Sequence, residues 1–505
     1  MQKMDYFLGI DAGTTAFKAV LFDQHGEAIA AATYEYELNY PGVDRVELEA
    51  EHYWEACKSV IRQILANWNG KVSNIKALCI ASQGETLITV GRDGKPLRPA
   101  IVWLDNRAGN EAQKLKDEFG AETAFKITGQ PDIVPTWPAA KILWIKQNEP
   151  EVFKQVHKYL LLEDYLIYRL THKFVAEGSL LSSTLYFDIH TGQWWTDMLQ
   201  FIGISPDLLP AIKSSGQIVA ELTESTAKEI GLAKETRVVT GALDQAASTI
   251  GAGNTRLEML TENTGSVLAI CANVSQPTFD PQRRIPCHFH ALPGAYFLLP
   301  WCQTAGMVYK WFRKEFYTDQ SRQADSDARS LFLKMDADAQ RILPGSDGII
   351  MLPHLAGAFT PECNPGARGV FFGISLQTSK AHFTRAILES VAFMLKRNIN
   401  LLENLGITVH EIRALGGGSQ SALWNQIKAD VCQKPVVTVQ TSETTSLGAA
   451  MLAGVALNLY ADLDQAALKM SHLRQRFEPN STHAAIYSAA YEKYIKLYSA
   501  LEPLF

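Results

Sequence analysis

Residues 6–23 read YFLGIDAGTTAFKAVLFD. An apolar run, Phe7 to Ile10, ends on a carboxylate at Asp11. Ala12, Gly13, Thr14 and Thr15 follow, and a second apolar run extends from Phe17 to Phe22. Two short apolar runs around a small polar turn predict a β-hairpin. Asp, Gly and Thr are ordinary turn formers, so the hairpin alone has a bland reading. A sharper one makes the turn a phosphate-binding loop. Backbone N–H groups exposed by a tight turn form an anion nest, glycine lets a phosphate approach closely, and two threonines add hydroxyl donors. An acid does not itself favour an anion, so Asp11 in that setting calls for a cation between it and the phosphates. Mg²⁺ suits the place because it keeps its waters and tolerates carboxylates beyond them.

Working outward, Asp23-Gln24-His25-Gly26 reads as a second hairpin turn into a third strand. A helix is expected from about Ala50 to Trp68, with Trp54, Cys57, Ile61, Ile64 and Leu65 on one face. A buried strand, Ile75 to Ala81, then ends at Ser82-Gln83-Gly84-Glu85. Alternating strands and helices predict an α/β fold. Near 252–260 the pattern restarts: MLTENTGSVLAICANV (259–274) is again strand, small polar turn, strand. A long helix is expected over about 379–405, and a strand, Ile412 to Leu415, enters GGGSQSALWNQIKAD. IKALCIASQ (75–83) matches IRALGGGSQ (412–420) at five of nine positions, which hints at internal duplication. The expectation is two lobes of similar topology, residues 1–252 and 253–505, facing a central cleft of the kind ligands favour.

A chain of 505 residues exceeds one ordinary core. Its net charge of −6 and lack of a Lys/Arg-rich run argue against a dedicated nucleic-acid or membrane-surface binder. Seven scattered cysteines, with no CxxC pair, argue against a complete disulfide framework. A reducing cytoplasm is the expected compartment. The N-terminus lacks a signal-peptide core, and no apolar stretch reaches membrane-spanning length. CHFH at 287–290 reads as a strand with alternating polar residues rather than a metal site.

These segments resemble the FGGY family of carbohydrate kinases. GVFFGISLQTSKAHFTRAILE (369–389) carries Gly369, Gly373, Ile374, His382, Phe383, Ala386 and Glu389 where the family's C-terminal signature has them. PAAKILWIKQN (138–148) matches the N-terminal signature through Pro138, Lys141, Trp144, Gln147 and Asn148, with Thr136 a departure at its first position. DAGTT, VWLDNR, ALDQAA, NTGS, LGGG and TTSLGAA occur in family order. The resemblance implies two ribonuclease-H-like domains of the actin and hexokinase type, and phosphorylation of a sugar or polyol hydroxyl by ATP with Mg²⁺.

It also implies site residues. Asp11 would hold the metal, and Gly13, Thr14 and Thr15 would form the first phosphate segment. Thr264, Gly265 and Ser266 would form the second. Asp244, after the strand Val238–Val239, would be the general base, with Gln245 on the substrate. Trp103 would pack against the sugar, with Asp105 and Arg107 nearby. Gly416, Gly417 and Gly418 would admit the adenosine, with Asn425 reaching the base. TTSLGAAMLAG (444–454) reads as a close-packed helix of small residues.

Gly84-Glu85-Thr86 stands where glycerol kinases carry Arg-Glu-Thr. Loss of that arginine removes a donor and is expected to open volume for a longer substrate, with Glu85 accepting from a hydroxyl. The Met-His pair of xylulokinases is also missing here. A pentulose, in a xylulokinase-like reaction, is the expected substrate. A glycerol kinase is the alternative, as is an actin- or Hsp70-like ATP-switched binding module. A homodimer is the family prior.

Overall fold

In the computed structural model, which describes residues 5–317 and 328–505, the opening stretch is a hairpin. β1 (Tyr6–Ala12) runs antiparallel to β2 (Ala16–Asp23), with Asp11 opposite Lys18 and Ala12 opposite Phe17. β3 (Ala28–Glu35) extends the ribbon beyond the predicted second turn. Helix α1 (Ala50–Asn67) buries Trp54, Cys57, Ile61 and Ile64 of the face its periodicity predicts, with Tyr53 beside them, while Leu65 is only partly buried. β4 (Ile75–Ser82) lies parallel to β1. Helix α2 (Pro138–Asn148) starts with proline at its first position, where a missing N–H costs nothing. β5 (Ile218–Glu221) pairs antiparallel with β6 (Arg237–Leu243), which lies parallel to β4 and leads straight into α3 (Asp244–Gly251). The sheet order is β5-β6-β4-β1-β2-β3.

The next hairpin, β7 (Met259–Thr264) and β8 (Leu268–Val274), begins a second sheet. Helix α4 (Lys380–Asn404) buries Ile387, Val391, Met394 and Leu395 and is capped through Ser379 and His382. Within it Glu389 accepts from Gly345 N, Ser346 Oγ and Arg385 Nε, so these signature residues brace the fold. β9 (Glu411–Leu415), α5 (Ala422–Cys432), β10 (Val436–Val439) and β11 (Leu473–Phe477) follow. The strands run β8-β7-β9-β10-β11. β7, β9 and β10 are mutually parallel neighbours, and β11 is antiparallel. This repeats β2-β1-β4-β6-β5.

The expected repeat is therefore present in the topology, and β4 and β9 hold equivalent places in it. Their sequence match is not residue for residue. Ser82-Gln83 closes β4, with Ser82 level with Ala12, whereas Ser419-Gln420 ends a short 3₁₀ turn (Gly417–Gln420) beyond β9.

The chain divides into two units. Unit 1 comprises Met1–Thr255, Val274–Phe297 and Glu443–His472. Unit 2 comprises Arg256–Asn273, Leu298–Ser442 and Leu473–Phe505. A cut at 252/253 falls three residues before the first crossing, but two later segments return to unit 1. One of them carries the helix Thr444–Ala456. A Cβ on Gly9, Gly251 or Gly448 would lie 1.9 Å from the carbonyl oxygen of Ser446, Thr444 or Ala247 respectively. The small residues thus let this helix lie directly on β1 and α3, the close packing expected of it. CHFH begins on a short strand, Cys287–Phe289, with His288 and His290 buried. Burial pushes both imidazoles down, to about 4 and about 3, and so keeps them neutral. Among the described residues none of the seven cysteines forms a disulfide.

Candidate active site

In unit 1, Ala12, Ser82 and Leu243 lie in register at the ends of three parallel strands. The next residues are Gly13 and Gln83, which start loops, and Asp244, which starts α3. Ligands of parallel sheets gather at such carboxyl ends.

Asp11 is half-buried, and its carboxyl is pushed up to about 7, chiefly by burial, then by the charge of Asp244 and, more weakly, Glu443. Lys18 opposes the shift, but it is shared with Glu443 at 3.4 Å. A carboxylate held this far from its ordinary range has a strong attraction for a cation. In the turn, Gly13 N spends its proton on Ala16 O at 3.1 Å. The nest is therefore left to the Thr14 and Thr15 amides. Thr14 Oγ1 accepts from Trp103 Nε1 at 2.9 Å, and Thr15 is exposed.

Asp244 starts α3 immediately after an irregularity in β6 between Val239 and Ala242. Gly is required there: a Cβ on Gly241 would lie 1.8 Å from Ile80 O. The amides that leave the ladder find buried partners. Gly241 N donates to Glu163 Oε1 at 2.8 Å. Leu243 N donates to Ser179 Oγ at 2.9 Å, whose hydroxyl donates to Glu177 Oε1 at 2.8 Å. The bulge thereby aims Asp244 out of the sheet. Its Oδ1 accepts from Gln245 N at 2.6 Å. Burial pushes its carboxyl up to about 6, against hydrogen bonds from Gln245 that pull it down.

Glu85 sits in left-handed backbone at φ 55, a strained position for a non-glycine residue. Lys141 of α2 holds it there. The fully buried ammonium donates to Glu85 O at 2.9 Å and Val102 O at 3.0 Å, joining the two loops that carry Glu85 and Trp103. Burial pushes the Glu85 carboxyl up and the Lys141 ammonium down. The volume expected beside Gly84 is not open. A Cβ there would lie 2.8 Å from Ser183 Oγ and 3.3 Å from Leu243 Cδ1, so those side chains fill the space.

Trp103 is 36% exposed, and Thr136, the signature departure, donates to its carbonyl. Asp105 and Arg107 are not available to a substrate. They form a buried ion pair at 2.7 Å, with Glu47 on Arg107 and Val46 N on Asp105. Sequence reasoning missed Gln83, whose buried side-chain amide has only the Tyr53 hydroxyl beside it and no well-formed hydrogen bond. Such a group calls for a water or a ligand.

In unit 2 the second turn is Gly265–Val267. Ser266 is exposed, and its carbonyl accepts from Ala305 N and Met307 N at 3.0 and 3.1 Å. Thr264 is buried, and its hydroxyl donates to Glu262 Oε2 at 2.6 Å. Its side chain therefore has no proton for a phosphate. The three glycines differ. A Cβ on Gly416, at φ 72, would lie 2.3 Å from Asn263 Oδ1, and one on Gly418 would lie 2.7 Å from the Thr264 side chain. Gly417 alone faces open space. Asn425 is buried and donates to Ser419 O at 2.8 Å, which ties it to the glycine turn, while its Oδ1 is buried with no hydrogen-bond partner. No cluster of three acids, histidines or cysteines with metal-binding geometry occurs among the described residues.

Family models match both halves of the chain: the N-terminal domain of FGGY carbohydrate kinases over residues 6–251 and the C-terminal domain over 242–457. A gluconokinase of Bacillus subtilis (strain 168) is 31% identical over 449 residues, covering 88% of this chain and 86% of that protein. A xylulose kinase of Escherichia coli (strain K12) is 31% identical, covering 99% of each chain. The crystal structure of ligand-bound xylulose kinase from Lactobacillus acidophilus superposes with a TM-score of 0.88 at 30% identity, covering 99% of this chain and 98% of that one. The fold is the two-domain actin and hexokinase type, and the chain belongs to the FGGY family of carbohydrate kinases.

Proposed function

We propose that the protein transfers the γ-phosphoryl group of ATP to a terminal hydroxyl of an uncharged sugar, with a pentulose as the best fit. The observation that carries this reading is the charge around the three strand ends in unit 1. Asp11, Asp244 and Glu85 are acids pushed up by burial. The cations beside them are committed, Lys18 to Glu443 and Lys141 to two backbone carbonyls. A sugar acid would bring its carboxylate to acids whose neighbouring cations are already engaged. A polyol hydroxyl, by contrast, donates readily to Glu85, Gln245 or the open Gln83 amide, while Trp103 offers an apolar face. Relatives of similar identity include both a gluconokinase and a xylulose kinase, and this charge pattern favours the second.

The Asp244 carboxylate takes the proton of the attacking hydroxyl as the oxygen–phosphorus bond forms and the β–γ bridge breaks, releasing ADP. An acid near 6 suits a general base, being ionised at neutral pH yet basic enough to accept the proton. Mg²⁺, when bound, neutralises phosphate charge. Asp11 is the residue to hold it, because a cation relieves the burial and repulsion that raise its carboxyl. Taken unit by unit, in unit 1 the Thr14 and Thr15 amides are the groups suited to phosphate oxygens; in unit 2 the Gly265–Ser266 turn is suited to phosphate and Gly417 to the nucleoside. Asp244→Asn is expected to cut turnover by roughly 10²–10⁴-fold while calorimetric ATP affinity stays near wild type. Near-normal turnover in that variant would contradict the assignment.

A further inference from the structure

Glu262 and Lys428 form an ion pair at 2.6 Å with both side chains fully buried. Thr264 closes the pair into a ring. Lys428 Nζ donates to Thr264 Oγ1 at 2.9 Å, and Thr264 Oγ1 donates to Glu262 Oε2 at 2.6 Å. Glu262 and Thr264 are two residues apart on β7 and so share a face of the strand. Lys428 reaches them from α5. Thr264 is the residue before the exposed Gly265–Ser266 turn, and the Gly416–Gly418 turn rests on it. One buried ring therefore touches both turns assigned to the nucleotide.

A buried ion pair is a poor way to add stability, because desolvation of both charges offsets their attraction and an apolar pair of similar size often does as well. Its use here must lie elsewhere. Lys428 has no exposed surface from which to touch a phosphate. Thr264 has no free proton to offer one.

We propose that Lys428 and Glu262 are positioning residues for nucleotide binding. They fix the Thr264 hydroxyl in one orientation, and through it the height and angle of the Ser266 turn and the Gly417 turn. Thr264 is then the anchor of the second phosphate segment rather than a phosphate ligand. This inference rests on the reading of the Gly265–Ser266 and Gly417 turns as nucleotide contacts.

The test separates positioning from stability. Lys428→Met alone strands a buried carboxylate and is expected to lower the thermal midpoint sharply. The double variant Lys428→Met/Glu262→Leu removes both charges and is expected to recover most of that midpoint. Its KM for ATP is nonetheless expected to stay raised roughly tenfold or more, the range for a lost buried polar network, with KM for the sugar little changed. Thr264→Val, nearly the same shape without the hydroxyl, is expected to raise KM for ATP in the same direction. A double variant or a Thr264→Val variant with wild-type KM for ATP would overturn the proposal, as would equal rises in both KM values. Calorimetry of wild-type protein with ATP tells this failure from that of the underlying reading. Wild-type protein that binds no ATP refutes the nucleotide assignment itself; wild-type and double-variant proteins that bind equally well refute only the positioning role.

Discussion

The two hairpins that open the two sheets have the same topology and treat their acids in opposite ways. Counting back from the turn, Asp11 is the second paired residue of β1 and Asn263 is the second of β7. The acid of the second hairpin, Glu262, lies one residue earlier, on the other face, and is neutralised by Lys428. The first hairpin leaves its acid raised to about 7, beside Asp244 and with its nearest cation, Lys18, drawn to Glu443. One copy has kept a charge available for chemistry. The other has sealed its charge inside and uses it to hold a turn.

The contrast gives opposite expectations for stability. Glu262→Gln leaves Lys428 buried and unpaired and is expected to cost about 3–5 kcal/mol, read from denaturant or thermal unfolding. Asp11→Asn is expected to stabilise the protein at pH 8 while impairing turnover. The sign follows from linkage. The Asp11 carboxyl is raised in the fold from an ordinary 3.8 to about 7. Its protonated form therefore favours folding in full below about pH 4, and this contribution fades as pH rises through about 7. The advantage of the Asn variant should accordingly shrink as pH falls toward 4. Two destabilised variants, or two stabilised ones, would break the comparison.

Within unit 1 the comparison sharpens around Lys141, a buried cation that serves carbonyls rather than an acid alone. Lys141→Met releases the strained Glu85 and the Trp103 loop together. A rise of roughly tenfold in KM for the sugar is expected, with KM for ATP held, because two charge-assisted hydrogen bonds are lost. The smallest effect is in the pH profile. The acid limb of kcat/KM should fall away from about 7, where Asp11 takes up its proton, and more steeply below about 6, where Asp244 does, and Asp244→Asn should remove the lower step.

Local signals make much of this legible in the sequence. The hairpin, α1, β4 and α4 follow from periodicity and turn chemistry, and Asp11 and Asp244 stand out as acids at strand ends. What the sequence hides is pairing over long separations. Lys18 meets Glu443, Gly241 meets Glu163, and Glu262 meets Lys428 across gaps that no periodicity spans. The return of the helix Thr444–Ala456 to unit 1 is hidden for the same reason, although its run of small residues foretold close packing. The burial of Asp105 and Arg107 is hidden as well, because an ion pair two residues apart carries no mark of burial. The three successive glycines look alike, yet two are small because a strand lies against them and one because nothing does.

The central claim, an ATP-dependent kinase for an uncharged sugar, is tested most directly by ADP release over glycerol, erythritol, xylulose, ribulose and gluconate at matched concentrations. A pentulose should give the highest kcat/KM, with gluconate far below it. Preference for gluconate, or ADP release indifferent to every sugar, would contradict the account.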